Sequence, residues 1–214
     1  MIALEGLVSH QKQRLVPIRV PWTHAMGVLQ VCWKSSDTLN VARVAIGAGR
    51  LDSSRQEECP GGLDSRRVDL VFAGAAWLRT GRFSDARDDD FDRTLIGIPE
   101  DWRDYFTWRQ QTWLAQDRCP NPGVYEVEES HWLPRVDPDK RWVCKHYLIE
   151  SSDDFVEILA LAFHWTERIW PCSTEFGSMK FEDVPGQNPV VAEGASDDWN
   201  KYRDSVALEI AGPS

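Results

Sequence analysis

The sequence predicts an α+β chain, a mostly antiparallel sheet with two main helices, at about 99–117 and 197–210, packed on it. Three observations point there. β-Branched and apolar runs separated by turn formers fill the first third of the chain. Trp102, Phe106 and Trp113 fall on one narrow stripe at about 100° per residue. Trp199, Tyr202, Val206 and Ile210 recur at i, i+3, i+7 and i+11, which is one face of a helix. With 214 residues, 42% of them hydrophobic, a single domain over 1–214 is expected, and the composition shift near 80–99 marks where a subdivision would fall.

In chain order, strands are expected at 14–20, 28–33, 41–46, 68–72 and 75–79, joined as a meander. The polar stretch 47–67, which contains Cys59-Pro60-Gly61-Gly62, reads as a long loop or an irregular hairpin tip. The first helix follows a charge-dense connector. Pro99 suits a first helical turn, and Glu100 and Asp101 complement the positive end of the helix dipole. Its Trp102, Phe106 and Trp113 are expected to face the sheet, with Tyr105 at the margin and Trp108 off the stripe and exposed.

The Cys119-Pro120-Asn121-Pro122-Gly123 run cannot continue a helix. A hairpin is expected beyond it, with strands at 141–149 and 155–165 around a polar turn. Closing that hairpin with Ile149 opposite Phe155 would set His146 opposite Ile158. The second strand is apolar on both faces and is therefore expected to be central. After a loop-like stretch, Ser196 offers an N-cap for the closing helix.

Charge narrows the range of partners. The net charge is -10, with 34 acidic residues against 24 basic ones, so nucleic acid and anionic membranes are repelled and a basic protein is attracted. The longest apolar runs fall well short of the roughly 20 residues of a membrane span, and the first residues lack a charged segment followed by an apolar one. A cytoplasmic protein is expected. Five cysteines at wide spacings suit neither a disulfide framework nor a zinc site, and most read as buried thiols.

Two cofactor patterns begin and then break. Asp88, Asp90 and Asp92 occupy positions 1, 3 and 5 of a calcium loop, but Arg93 stands where its turn needs glycine and Pro99 where a bidentate glutamate belongs. Gly47-Ala48-Gly49 opens like a dinucleotide loop, yet Asp52 takes the third glycine position and no helix follows. No metal and no cofactor is expected. Neither H-E-x-x-H nor G-x-S-x-G occurs.

The leading expectation is a non-catalytic interaction protein, of inhibitor or immunity type, that meets a basic partner through Asp85, Asp88, Asp89, Asp90 and Asp92, with Trp108 as an aromatic anchor. The alternative is an enzyme or small-ligand binder with a pocket lined by Trp132, Trp142, Cys144 and His146. Cys144 and His146 lie two apart and would share a strand face, but the expected register leaves His164 about 20 Å away, too far to join them. A third reading takes Trp132, Trp142, Trp165 and Trp170 as a carbohydrate platform.

Overall fold

A computed structural model describes residues 12–35, 39–51, 63–82, 93–99, 101–139, 143–151, 154–169 and 190–211. The strands are β1 (Gln13–Pro17), β2 (Trp22–Lys34), β3 (Val41–Leu51), β4 (Leu63–Ala73), β5 (Trp77–Arg82), β6 (Arg93–Leu95), β7 (Val124–Glu128), β8 (Lys145–Glu150), β9 (Asp154–Ala160), β10 (Ala162–Ile169) and β11 (Val190–Ala195). Helices α1 (Trp102–Gln116), α2 (Leu133–Val136) and α3 (Arg203–Ala211) complete the fold, with a 3-10 turn at Trp199–Lys201. Strands make up 54% of the described residues, so the chain is mostly sheet, rich in antiparallel pairs, and its helical content is small.

Two sheets form. Sheet I has the order β5-β9-β8-β7-β1-β6 and sheet II the order β11-β10-β4-β3-β2. The only parallel pair among these strands is β1 with β6. The main core lies between the sheets, where Val44, Ile46, Leu70 and Phe72 of sheet II meet Tyr147, Ile149, Val156 and Ile158 of sheet I. Tyr147 stacks edge-on to Phe163 at 5.3 Å and lies 5.5 Å from Phe72, an aromatic trio that crosses the interface. Such pairs add about 0.5–1.5 kcal/mol each beyond the area they bury.

The chain passes directly from one sheet to the other at three corners, β1 to β2, β4 to β5 and β9 to β10. The expected single strand 155–165 is therefore two strands. Leu161 breaks it because its N–H is taken by Ala73 across the neighbouring corner (3.0 Å) rather than by a strand of sheet I. That neighbouring corner turns on Gly74, at φ 59°, a left-handed conformation that costs an L side chain. The β8–β9 register is also one residue away from the expected one. Glu150 faces Phe155, so His146 lies opposite Leu159 and not Ile158. β9 is second from the edge of its sheet rather than central, although it is buried on both faces as its sequence implies.

The stretch 47–67 is not all loop: β3 continues through Leu51 and β4 starts at Leu63. Gly47 and Gly49 accordingly belong to a strand. Helix α1 lies within its expected bounds but starts after an Asp101 cap, whose carboxylate accepts the Arg103 N–H at 2.9 Å. Ser196 caps no helix. Its hydroxyl accepts the Phe163 N–H and donates to the Phe163 carbonyl, pinning the chain to β10. The 3-10 turn and α3 then close a third cluster, in which Trp199 and Val206 pack on Val41, Ala73 and Ala162.

Gly74→Ala tests the corner. An added Cβ would sit 2.4 Å from Leu161 Cδ1 at an unfavourable φ. A loss of about 1–3 kcal/mol in chemical denaturation is expected, and an unchanged midpoint would mean that the corner accepts a side chain.

Candidate functional site

The face of sheet I turned away from the main core carries a second apolar cluster, Leu15, Tyr125, Val127, Leu148 and Phe155. Among these side chains sits a group of buried charges. Glu157 is the one acidic residue in the run Phe155-Val156-Glu157-Ile158-Leu159-Ala160, and its side chain is fully buried. Arg79 stands directly opposite it on β5 and donates to Oε2. Arg93 donates to Oε1 at 2.6 Å. Arg93 belongs to β6, four strands from β9. Flat, those strands would be about 19 Å apart, so sheet I must curl until its far edge leans over β9. The residue that spoils the calcium pattern is thus an arm of this cluster.

His146 completes the group, with Nε2 3.2 Å from Glu157 Oε1 and Nδ1 2.8 Å from Ser130 Oγ. Ser130 Oγ accepts the N–H groups of Trp132 and Leu133 at the start of α2, at 3.2 and 3.1 Å. With its lone pairs so occupied, the hydroxyl donates to Nδ1, and the imidazole proton is left on Nε2, facing Glu157. Burial alone would raise the Glu157 carboxyl, but His146, Arg79 and Arg93 outweigh it and hold the group at about 2. Burial pushes His146 below its ordinary 6.5; Glu157 opposes this, and Arg93 and Arg79 add to it. The ring is neutral at neutral pH.

Ser130, His146 and Glu157 have the composition of a hydrolytic triad, but not its arrangement. A nucleophilic hydroxyl must be open to substrate and free of other acceptor duties. Ser130 is buried and caps a turn. The cluster satisfies its own charges and holds the curled sheet.

Of the expected pocket residues, Trp132 and His146 do come together, with their rings edge to face at 5.4 Å. The Arg79 guanidinium lies over the Trp132 ring at 5.4 Å and covers that face of the indole. Cys144 is half-buried, and burial with the nearby Asp137 charge raises its thiol to about 11, so it is no thiolate nucleophile. Trp142 and the acidic residues Asp85, Asp88, Asp89, Asp90 and Asp92 lie outside the described residues. His164 is in sheet II, separate from His146 in sheet I.

Helix α1 departs most from expectation. In the first half of the helix, Tyr105 accepts from Asn121 at 2.8 Å, and Asn121 in turn accepts from Tyr125 of β7. The C-terminal half is docked at the corner between β1 and β2. Trp113 is buried there under the Arg109 guanidinium, which lies 5.3 Å from its ring and donates to Thr23 Oγ1 at 2.6 Å. Cys119 N–H bonds to the Val20 carbonyl, and Asp117 pairs with Arg50 at 3.2 Å. Other side chains of the N-terminal half face solvent. Trp102 is 71% exposed and Phe106 66% exposed, although both share the stripe of buried Trp113. Trp108, expected to be exposed, is instead half-buried with its ring 6.0 Å from Tyr105.

Among the described residues no helix is long and apolar enough to cross a membrane, and no three His, Cys, Asp or Glu side chains gather as a metal site. The chain matches no protein-family model, no curated protein and no solved structure.

Removing the Glu157 charge should cost about 2–3 kcal/mol, because Glu157→Gln takes the nearer anion from buried Arg93, which keeps Glu150 at 3.5 Å, while Arg79 is partly exposed and screened by water. Acid should act on the same cluster. An unfolded carboxyl titrates near 4.5 and the folded one near about 2, while His146 folds with its value below 6.5, so as pH falls the unfolded chain takes up protons first at both groups. Their stabilisation is complete above 6.5 and declines from there towards about 2. Glu150, raised by burial, works weakly in the opposite sense. Denaturant titrations from about pH 7 to about pH 4 should show this decline, with a shallower slope in Glu157→Gln. Parallel slopes would refute the assignment.

The Cys144 thiol, held protonated, should react with a thiol reagent more slowly than the exposed Cys32 when each is tested as the sole cysteine. Equal rates would show that the thiol is more acidic than its surroundings imply.

Proposed function

We propose that this chain is a non-catalytic interaction protein that offers the N-terminal half of α1 to a basic protein partner, in an inhibitor or immunity-type role in the cytoplasm. One observation carries the reading. Trp102 and Phe106 stand in solvent on a helix whose far end is fixed by Trp113 and Arg109. Aromatic side chains held on an anchored helix lose little freedom on binding and are the residue types that dominate interface energetics.

Charge supports the same reading. The net charge of -10 attracts a basic surface, and Asp85, Asp88, Asp89, Asp90 and Asp92 precede this helix closely in the chain. Asp101 and Asp104 add carboxylates to its first turn. In this reading the acids speed encounter and the aromatic rings hold the complex. An enzymatic role has less support, since the Ser130 hydroxyl is buried and engaged and the Cys144 thiol is kept protonated. A carbohydrate platform has less still, because Trp165 is buried and the Arg79 guanidinium lies over the Trp132 ring.

The test compares capture from host lysate by the native chain, by Trp102→Ala/Phe106→Ala and by a variant with the five Asp residues at 85–92 neutralised. A basic protein should be retained by the native chain and bound at least about tenfold more weakly by the aromatic variant. The Asp variant should bind the same protein with slower association and a flatter salt dependence. Equal retention by native chain and aromatic variant would overturn the role of α1.

A further inference from the structure

A cleft of about 540 Å³ opens on sheet II, bounded by β10, β11, the 3-10 turn and α3, and it shares no residue with α1. Its floor is ordered. The His164 ring lies nearly parallel to the Trp199 indole, with centroids 5.2 Å apart and planes 22° apart. Trp199 is itself buried in the cluster that holds Val206, so the imidazole rests on a fixed surface. His164 Nε2 points to Glu193 Oε2 at 3.5 Å. The imidazole therefore steadies a carboxylate that is otherwise largely in solvent.

The remaining polar groups of the cleft are unspent. Arg203 and Asn200 line it, and among the described residues neither side chain has a hydrogen-bond or ion-pair partner. Arg203 forms no pair with Glu193, although both border the same space. Val206 and Ala207 supply an apolar wall. The cleft thus holds an anion, an uncommitted cation, a carboxamide and an apolar surface side by side. A volume of this order is at home among small-ligand sites.

We infer that this cleft binds a free α-amino acid with an apolar side chain. Its ammonium group pairs with Glu193, its carboxylate takes Arg203 and Asn200, and its side chain lies along Val206 and Ala207. The guanidinium is suited to a carboxylate by its planar set of donors. His164 acts as a positioning residue for Glu193. Burial lowers its basicity, Glu193 opposes this and Arg203 adds to it, so the ring is below 6.5 and neutral at neutral pH. A neutral ring leaves the Glu193 charge available to an ammonium group.

The inference is tested by calorimetric titration of the full chain with leucine, phenylalanine and glycine, with the His164 imidazole resonances followed in parallel. Leucine or phenylalanine should bind and shift those resonances, and glycine should bind more weakly. N-acetyl-leucine, which lacks the ammonium group, and leucinamide, which lacks the carboxylate, should each bind at least about tenfold more weakly than leucine. Glu193→Gln should weaken leucine about tenfold yet leave N-acetyl-leucine unchanged, and Arg203→Gln should weaken leucine yet leave leucinamide unchanged. Both substitutions fall on side chains at the open surface, so folding is preserved. Absence of heat and of any resonance shift, or equal affinity for leucine and its blocked analogues, would overturn it.

Discussion

A single buried carboxylate closes the curl of sheet I. Glu157 receives Arg79 from the adjoining strand and Arg93 from the opposite edge of the sheet, with His146 beside it. Charges removed from water are expensive unless each finds its partner, and here each side chain depends on the others for that. The curl in turn creates the space filled by Leu15, Tyr125, Val127, Leu148 and Phe155. It also fixes the position of Ser130, whose hydroxyl links the His146 ring to the start of α2. Three catalytic residue types lie in a line here for a reason of architecture.

The two surfaces proposed for recognition differ in construction. Helix α1 offers apolar area with little direction: large rings on a stalk fixed by Trp113 and Arg109. The cleft beside α3 offers the reverse, a small space bordered by both Glu193 and Arg203, with the His164 imidazole stacked on Trp199. Area suits a macromolecule, whose many weak contacts need only a few strong anchors. Separated charge suits a small molecule with both charges on one carbon.

Strand content was legible because β-branched runs and turn formers report local geometry directly. β2, β3, β4 and β8 all overlap segments read from the sequence, and α1 lies within the bounds set by Pro99 and Asp117. The break at Leu161 was hidden, since its cause is a hydrogen bond to Ala73, far away in the chain. The register error at His146 has a local origin: the turn sets it, and a slip of one residue exchanges the faces. Glu157 did leave a signal. One charge inside an apolar strand that is buried on both faces must have partners, and sequence does not say which arginines supply them. The stripe on α1 was read correctly as a stripe and wrongly as wholly covered, because periodicity gives the direction of a face but not how far its neighbour extends.

The corners at Gly74 and Leu161 carry a further consequence. Ala73 bonds to Leu161 and Leu159 to Ala76, so two places where the chain changes sheets are tied to each other. Neither sheet can peel away while those ties persist, because β4 and β5 are one continuous run, as are β9 and β10. Layers stitched in this way open together or stay shut. Local opening of the interior therefore requires both corners to yield together.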